Sequence, residues 1–203
     1  MDLRDALIQI SEIRQQMART EVFRGYRALP VAFSGALAWV VAGVQLAWLP
    51  DPLRHLPAYL SLWIGAAILG LGAAGSEVVF RARRSPRWSR ELTRQAVEQF
   101  VPCLVAGSLL TFVVVRHADG VAWMLPGLWS ILFSLGIFAS CRLLPRATYG
   151  LGLYYLLAGL ACLTLAQGDR ALSPWAMGIP FGGGQMLSAV VLYRTLERDH
   201  GHQ

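Results

Sequence analysis

The sequence predicts an all-α polytopic membrane protein: six transmembrane helices arranged as three hairpins, preceded by a cytoplasmic amphipathic helix. Three observations predict it. The 203 residues are 55% hydrophobic and 15% charged, against about a quarter charged in an ordinary soluble domain. The apolar residues fall in long uninterrupted runs, which points to lipid as the solvent. The arginines rise and fall in density in step with those runs.

Six runs have spanning length, at about 31–49, 58–80, 99–115, 121–140, 147–166 and 174–193. A helix needs roughly 20 residues to cross the hydrocarbon core. The runs are continuous, not alternating, which argues against barrel strands. Residues 1–28 form the N-terminal helix, 29–196 the membrane domain and 197–203 a tail. The first run follows a polar, partly acidic stretch and ends in Trp48, Leu49 and Pro50 without a small-residue cleavage site. It is expected to stay in the mature protein.

Orientation follows from arginine, since all eighteen basic residues are Arg. With the N-terminus inside, fifteen lie in inner segments, and only Arg54, Arg116 and Arg170 lie outside. That bias puts both termini in the cytoplasm. The absence of Lys and Asn fits the codon usage of a GC-rich bacterial genome, and so a bacterial inner membrane. The outer connections are short: Pro50 to Pro57, Arg116 to Gly120 and Gln167 to Ser173. Each hairpin has an Ala-Gly pair in its first helix, a Trp near the start of its second (Trp63, Trp123, Trp175) and an Arg leaving it. This pattern raises the idea of an internal repeat.

Three segments stand out. In the first, Leu3, Leu7, Ile10, Ile13 and Met17 recur at helical spacing. The segment is acidic at its far end and basic near the membrane, which suits a protein surface better than lipid adsorption. That surface is a partner, a second copy or the chain's own loop; the plainer reading is a solvated lead-in helix. In the second, residues 81–94 hold Arg81, Arg83, Arg84, Arg87, Trp88, Arg90 and Arg94. Ser85 and Pro86 read as an N-cap and first helical position. The arginines suit anionic headgroups or an acidic protein patch; the plainer reading is that they only enforce topology. Nucleic acid is excluded as a partner, because a single Trp is no stacking platform and no reading module is present.

The third segment is Gly178, Ile179, Pro180, Phe181, Gly182, Gly183, Gly184, Gln185 in the sixth run. A Pro followed by three Gly is expected to kink or unwind a helix. Pro126-Gly127 in the fourth run, and Gly65, Gly70, Gly72 and Gly75 in the second, read as corresponding interruptions. Such breaks are the sequence pointer to a transport site, with Gln185 and Gln45 as its polar contacts. Close packing through small residues is the plainer reading.

No Asp, Glu, Arg or His lies near the middle of any run. Glu77 comes nearest and is spaced to pair with Arg81. No nucleophile–base pair, HExxH or phosphate loop is present. Cys103, Cys141 and Cys162 read as small buried apolar residues, and Asp199, His200 and His202 as a solvated tail. No cofactor is expected. The sequence therefore predicts a non-enzymatic membrane component that binds a partner through its N-terminal helix and Arg-rich loop. The alternative is a small permease or channel-like protein with its site at the broken sixth helix.

Overall fold

The computed structural model describes residues 28–84, 87–141 and 147–196. The amphipathic segment built on Leu3 to Met17 lies outside the described residues, as do Ser85, Pro86 and the tail. The order is α1 (Ala28–Trp48), α2 (Leu56–Arg84), α3 (Arg87–His117), a 3-10 turn (Asp119–Met124), α4 (Leu125–Ser140) and α5 (Ala147–Leu165). A short 3-10 turn (Gly168–Arg170), α6 (Pro174–Met177), a π-helical segment (Gly178–Gly183) and α7 (Gly184–Leu196) follow. No strand occurs among the described residues.

Six stretches are long and apolar enough to cross a membrane: Ala28–Trp48, Leu56–Glu77, Val97–His117, Gly120–Ser140, Ala147–Leu165 and Pro174–Arg194. The sixth span is made of α6, the π segment and most of α7. The protein is thus an all-α, multi-pass membrane protein. Lipid offers no partner to an unpaired backbone amide, which favours continuous helix over any exposed break. This explains why α2 runs unbroken through Gly65, Gly70, Gly72 and Gly75, correcting the expectation of an interruption there. Pro126 likewise makes no break. It sits in the first turn of α4, where a missing N–H leaves no intrahelical bond unmade.

Two helices outrun the bilayer. At 1.5 Å per residue, the 29 residues of α2 and the 31 of α3 span roughly 43 and 46 Å, against about 30 Å of hydrocarbon. Residues 78–84 and 87–96 thus continue as helix beyond the apolar spans. Arg94 and Glu98 pair at 3.0 Å one turn apart on this overhang, a local support for helix rather than for fold.

Packing is asymmetric. α2 lies on α1, α3 on α4, and α4 makes its most extensive contact with α5. The sixth span packs against α1 and α5, while α2 and α3 barely touch each other. The helices therefore follow one another as an open ring. At one end, called here the loop end, the three short connections meet. Leu49, Tyr59, Leu60, Trp63, Val114, Ala122, Leu125, Leu172 and Met177 share one apolar cluster there. At the other, the Arg end, Val31 of α1 meets Ala189 and Leu192 of α7.

The α4–α5 contact depends on two glycines facing each other. A methyl group on Gly127 would come within 2.8 Å of the Gly159 carbonyl oxygen, and one on Gly159 within 2.8 Å of the Gly127 oxygen. Backbones approach this closely in membranes only through small residues. Gly159→Leu should cost on the order of 2 kcal/mol by overpacking, read as a fall of several degrees in the melting temperature in detergent. Gly72→Leu, where nothing lies within 4 Å, should leave it unchanged; an equal loss in both variants would refute this account.

Candidate functional site

Two polar constructions sit inside the bundle. The first is at the loop end. Gln45, near the end of α1, is fully buried. Its amide Nε2 donates to the Leu172 carbonyl at 2.7 Å, and its Oε1 accepts from the Trp63 indole Nε1 at 2.7 Å. One side chain thus ties α1 to α2 and to the connection between α5 and α6. Leu172 is also fully buried and has a left-handed backbone, φ 56°. For a Leu this conformation costs roughly 1–2 kcal/mol. It persists because the side chain fills the loop-end cluster and the carbonyl is held by Gln45.

A second indole repeats the arrangement. Trp129 Nε1 of α4 donates at 2.8 Å to Thr111 Oγ1 of α3, and that hydroxyl donates to the Gly107 carbonyl. Both indole ties join residues 18 apart in sequence. Sequence reasoning treated Trp63 only as a residue near the start of the second helix and did not single out Trp129. The available signal was a polar residue 18 positions before a Trp on the next helix, at equal spacing in two places.

The second construction is the widening in the sixth span. Pro180 has no N–H, so the carbonyl of Ala176, four residues back, loses its helical donor. The chain widens into the π segment Gly178–Gly183, and the Gly184 N–H turns back to the carbonyls of Phe181 and Pro180. Side chains of α5 serve the neighbouring carbonyls: the Cys162 thiol donates to Ala176 O at 3.3 Å, and the Tyr154 hydroxyl donates to Ile179 O at 2.7 Å. Cys162 is therefore half-buried and a hydrogen-bond donor. This corrects its reading as buried apolar filler; Cys103 and Cys141 are half-buried as well.

The widened helix is filled with rings. The indole of Trp39 lies against Gly182, the Tyr154 hydroxyl against Gly183 and the Tyr155 ring against Gly184. Phe181 stacks with Tyr155 and with Phe133, both at 5.7 Å, and Phe133 with Phe100 at 5.0 Å. Gly178 and Pro180 are buried. The sixth span is widened, not interrupted, over Gly178–Gly183, and its glycines make room for aromatic side chains.

The two glutamines expected to share a site do not. Gln185 places its Cβ against Gly35, and Gln45 lies ten residues farther along α1, roughly 15 Å away. The hydroxyls of Tyr59 and Tyr155 are buried without a hydrogen-bond partner. Each such group costs about 1–3 kcal/mol. No cluster of three His, Cys, Asp or Glu that would suit a metal occurs among the described residues. In the Arg-rich segment the backbone is helical on both sides of residues 85–86, and the side chains of 81–93 lie outside the described ones.

If Cys162 answers the carbonyl that Pro180 orphans, the two residues are coupled. Cys162→Ala should lower stability by about 1 kcal/mol, while Pro180→Ala, which restores an N–H at 180, should make the thiol dispensable. A double-mutant cycle on thermal stability measures this; purely additive effects would show the bond to be idle.

The chain matches no protein-family model, no curated protein and no solved structure.

Proposed function

We propose that the chain is a non-enzymatic component of a bacterial inner membrane, with both termini in the cytoplasm, that engages a partner at its Arg end. The observation that carries this reading is the overhang. α2 and α3 continue as helix past their apolar spans, joined by residues 85–86, and segment 81–94 holds six of the eighteen arginines. The backbone that carries them is helical on both sides of residues 85–86. The excess of Arg at this end supports its cytoplasmic placement. The N-terminal stripe Leu3, Leu7, Ile10, Ile13 and Met17 adjoins the same side in sequence. The interior supports the reading by what it spends: Gln45, Trp63, Trp129, Thr111, Tyr154 and Cys162 all hold the bundle together.

The test is retention. Wild-type protein, extracted gently from its host membrane, should carry a stoichiometric companion in native mass spectrometry: an acidic protein or an anionic lipid. Replacing Arg83, Arg84, Arg87 and Arg90 with Gln should reduce its occupancy at least tenfold without loss of insertion. Equal occupancy in both proteins, or no companion in either, would overturn the proposal.

The small-permease reading has one observation in its favour, the orphan hydroxyl of Tyr155 beside the π segment. Replacing Gly182, Gly183 and Gly184 with Leu cannot test it, because the new side chains would collide with Trp39, Tyr154 and Tyr155. Tyr155→Phe removes only the hydroxyl. Under the partner reading it should stabilise the bundle by about 1 kcal/mol, since an unsatisfied buried group is deleted. A loss of solute flux in proteoliposomes without that gain would favour transport.

A further inference from the structure

We infer that residues 168–172 form a strap that opens and shuts the loop end of the bundle, with Gln45 as its latch. The strap is bounded by two left-handed residues, Gly168 at φ 59° and Leu172 at φ 56°. Glycine adopts that conformation without strain and leucine does not. Between them Arg170 is exposed, while Ala171 and Leu172 are buried. The strap's own backbone bonds are local, from Arg170 N to Gln167 O, Ala171 N to Gly168 O and Ser173 N to Arg170 O, so none of them ties it to another span. What fixes it to the bundle is the Gln45 bond to Leu172 O, the Leu172 side chain in the cluster and the buried Ala171 methyl.

The shut position carries a cost that opening relieves: Leu172 is strained. When the strap lifts, Leu172 relaxes to an ordinary backbone. Strain in a non-glycine residue persists only where surrounding contacts over-determine it. Here those contacts come from one amide and two apolar side chains, one of them a methyl group, which makes the strap the separable part of an otherwise interlocked end.

The full chain in nanodiscs tests this. The three native cysteines are first replaced with Ser, which keeps a donor at 162. Ala171→Cys then reports the strap, Arg170→Cys its exposed control and Ala189→Cys a buried site at the Arg end. A water-soluble maleimide should label position 171 at least tenfold more slowly than position 170. Adding Gln45→Leu should raise the rate at 171 tenfold or more and leave position 189 within twofold. Hydrogen exchange on the unmutated protein supplies a second readout that does not depend on the variants folding. The amides of 170, 171 and 173 should exchange together, at least tenfold faster than those of 178, 179 and 181–183. A rate at 171 that ignores Gln45, a parallel rise at 189, or equal protection of strap and π segment would each overturn the inference.

Discussion

A backbone carbonyl inside hydrocarbon must find a donor, and much of this bundle is arranged around that demand. Water and lipid offer no help at depth, and an unmade bond there costs several kcal/mol. Two prolines beyond the first turn of a span show the rule from opposite sides. Pro102 orphans the carbonyl of Glu98, which lies at the exposed start of its span, within reach of solvent. α3 runs on without a break. Pro180 orphans the carbonyl of Ala176, which is buried. There the helix widens and α5 brings Cys162 and Tyr154 to the neighbouring carbonyls. The same amino acid is tolerated in one place and reorganises two spans in the other, because solvent access differs.

The indole ties extend this logic from backbone to side chain. A Trp in a membrane helix has a large apolar body and one N–H that seeks a partner. Trp63 finds Gln45 and Trp129 finds Thr111, each across the adjoining span. These bonds are modest one by one, since interhelical hydrogen bonds in membranes average about 0.6 kcal/mol. Their value is in specificity. A one-turn slip of α2 along α1 would leave the Trp63 indole N–H and the Gln45 amide oxygen unmatched together.

How much of this was legible in the sequence depends on the range of the interaction. The spans were legible to within three residues, because hydropathy is a local property and a membrane has one thickness. The disturbance at Pro180 was legible because a missing N–H is written into the residue. The four glycines of α2 were misread for an instructive reason. Their propensity cost is of order 1 kcal/mol each, smaller than the cost of exposing backbone to lipid, so the helix stays whole. The Gln45–Trp63–Leu172 knot was beyond reach, since it joins residues 18 and 127 apart and depends on which faces meet. The thiol of Cys162 was missed because an isolated Cys reads as filler until the carbonyl orphaned by Pro180 is followed to its neighbour. The N-terminal stripe and the arginine side chains of 81–93 lie outside what the structure describes.

The two ends of the bundle use polar chemistry in opposite ways, and this bears on where recognition takes place. At the loop end, Gln45 is matched to Trp63 and Thr111 to Trp129 inside the bundle, and short connections leave little to present. At the Arg end, two helices outrun the membrane and the chain concentrates a charge that has few acidic residues nearby in sequence to neutralise it: Glu77, Glu91 and Glu98 against six arginines of the 81–94 segment. A guanidinium stays charged under all physiological conditions and offers a planar fork of donors suited to carboxylates and phosphates. Topology alone needs a few positive charges beside a span; it does not need them carried on continued helix. Continued helix at the start and end of a segment this rich in arginine is the reason to test for an anionic partner at that end.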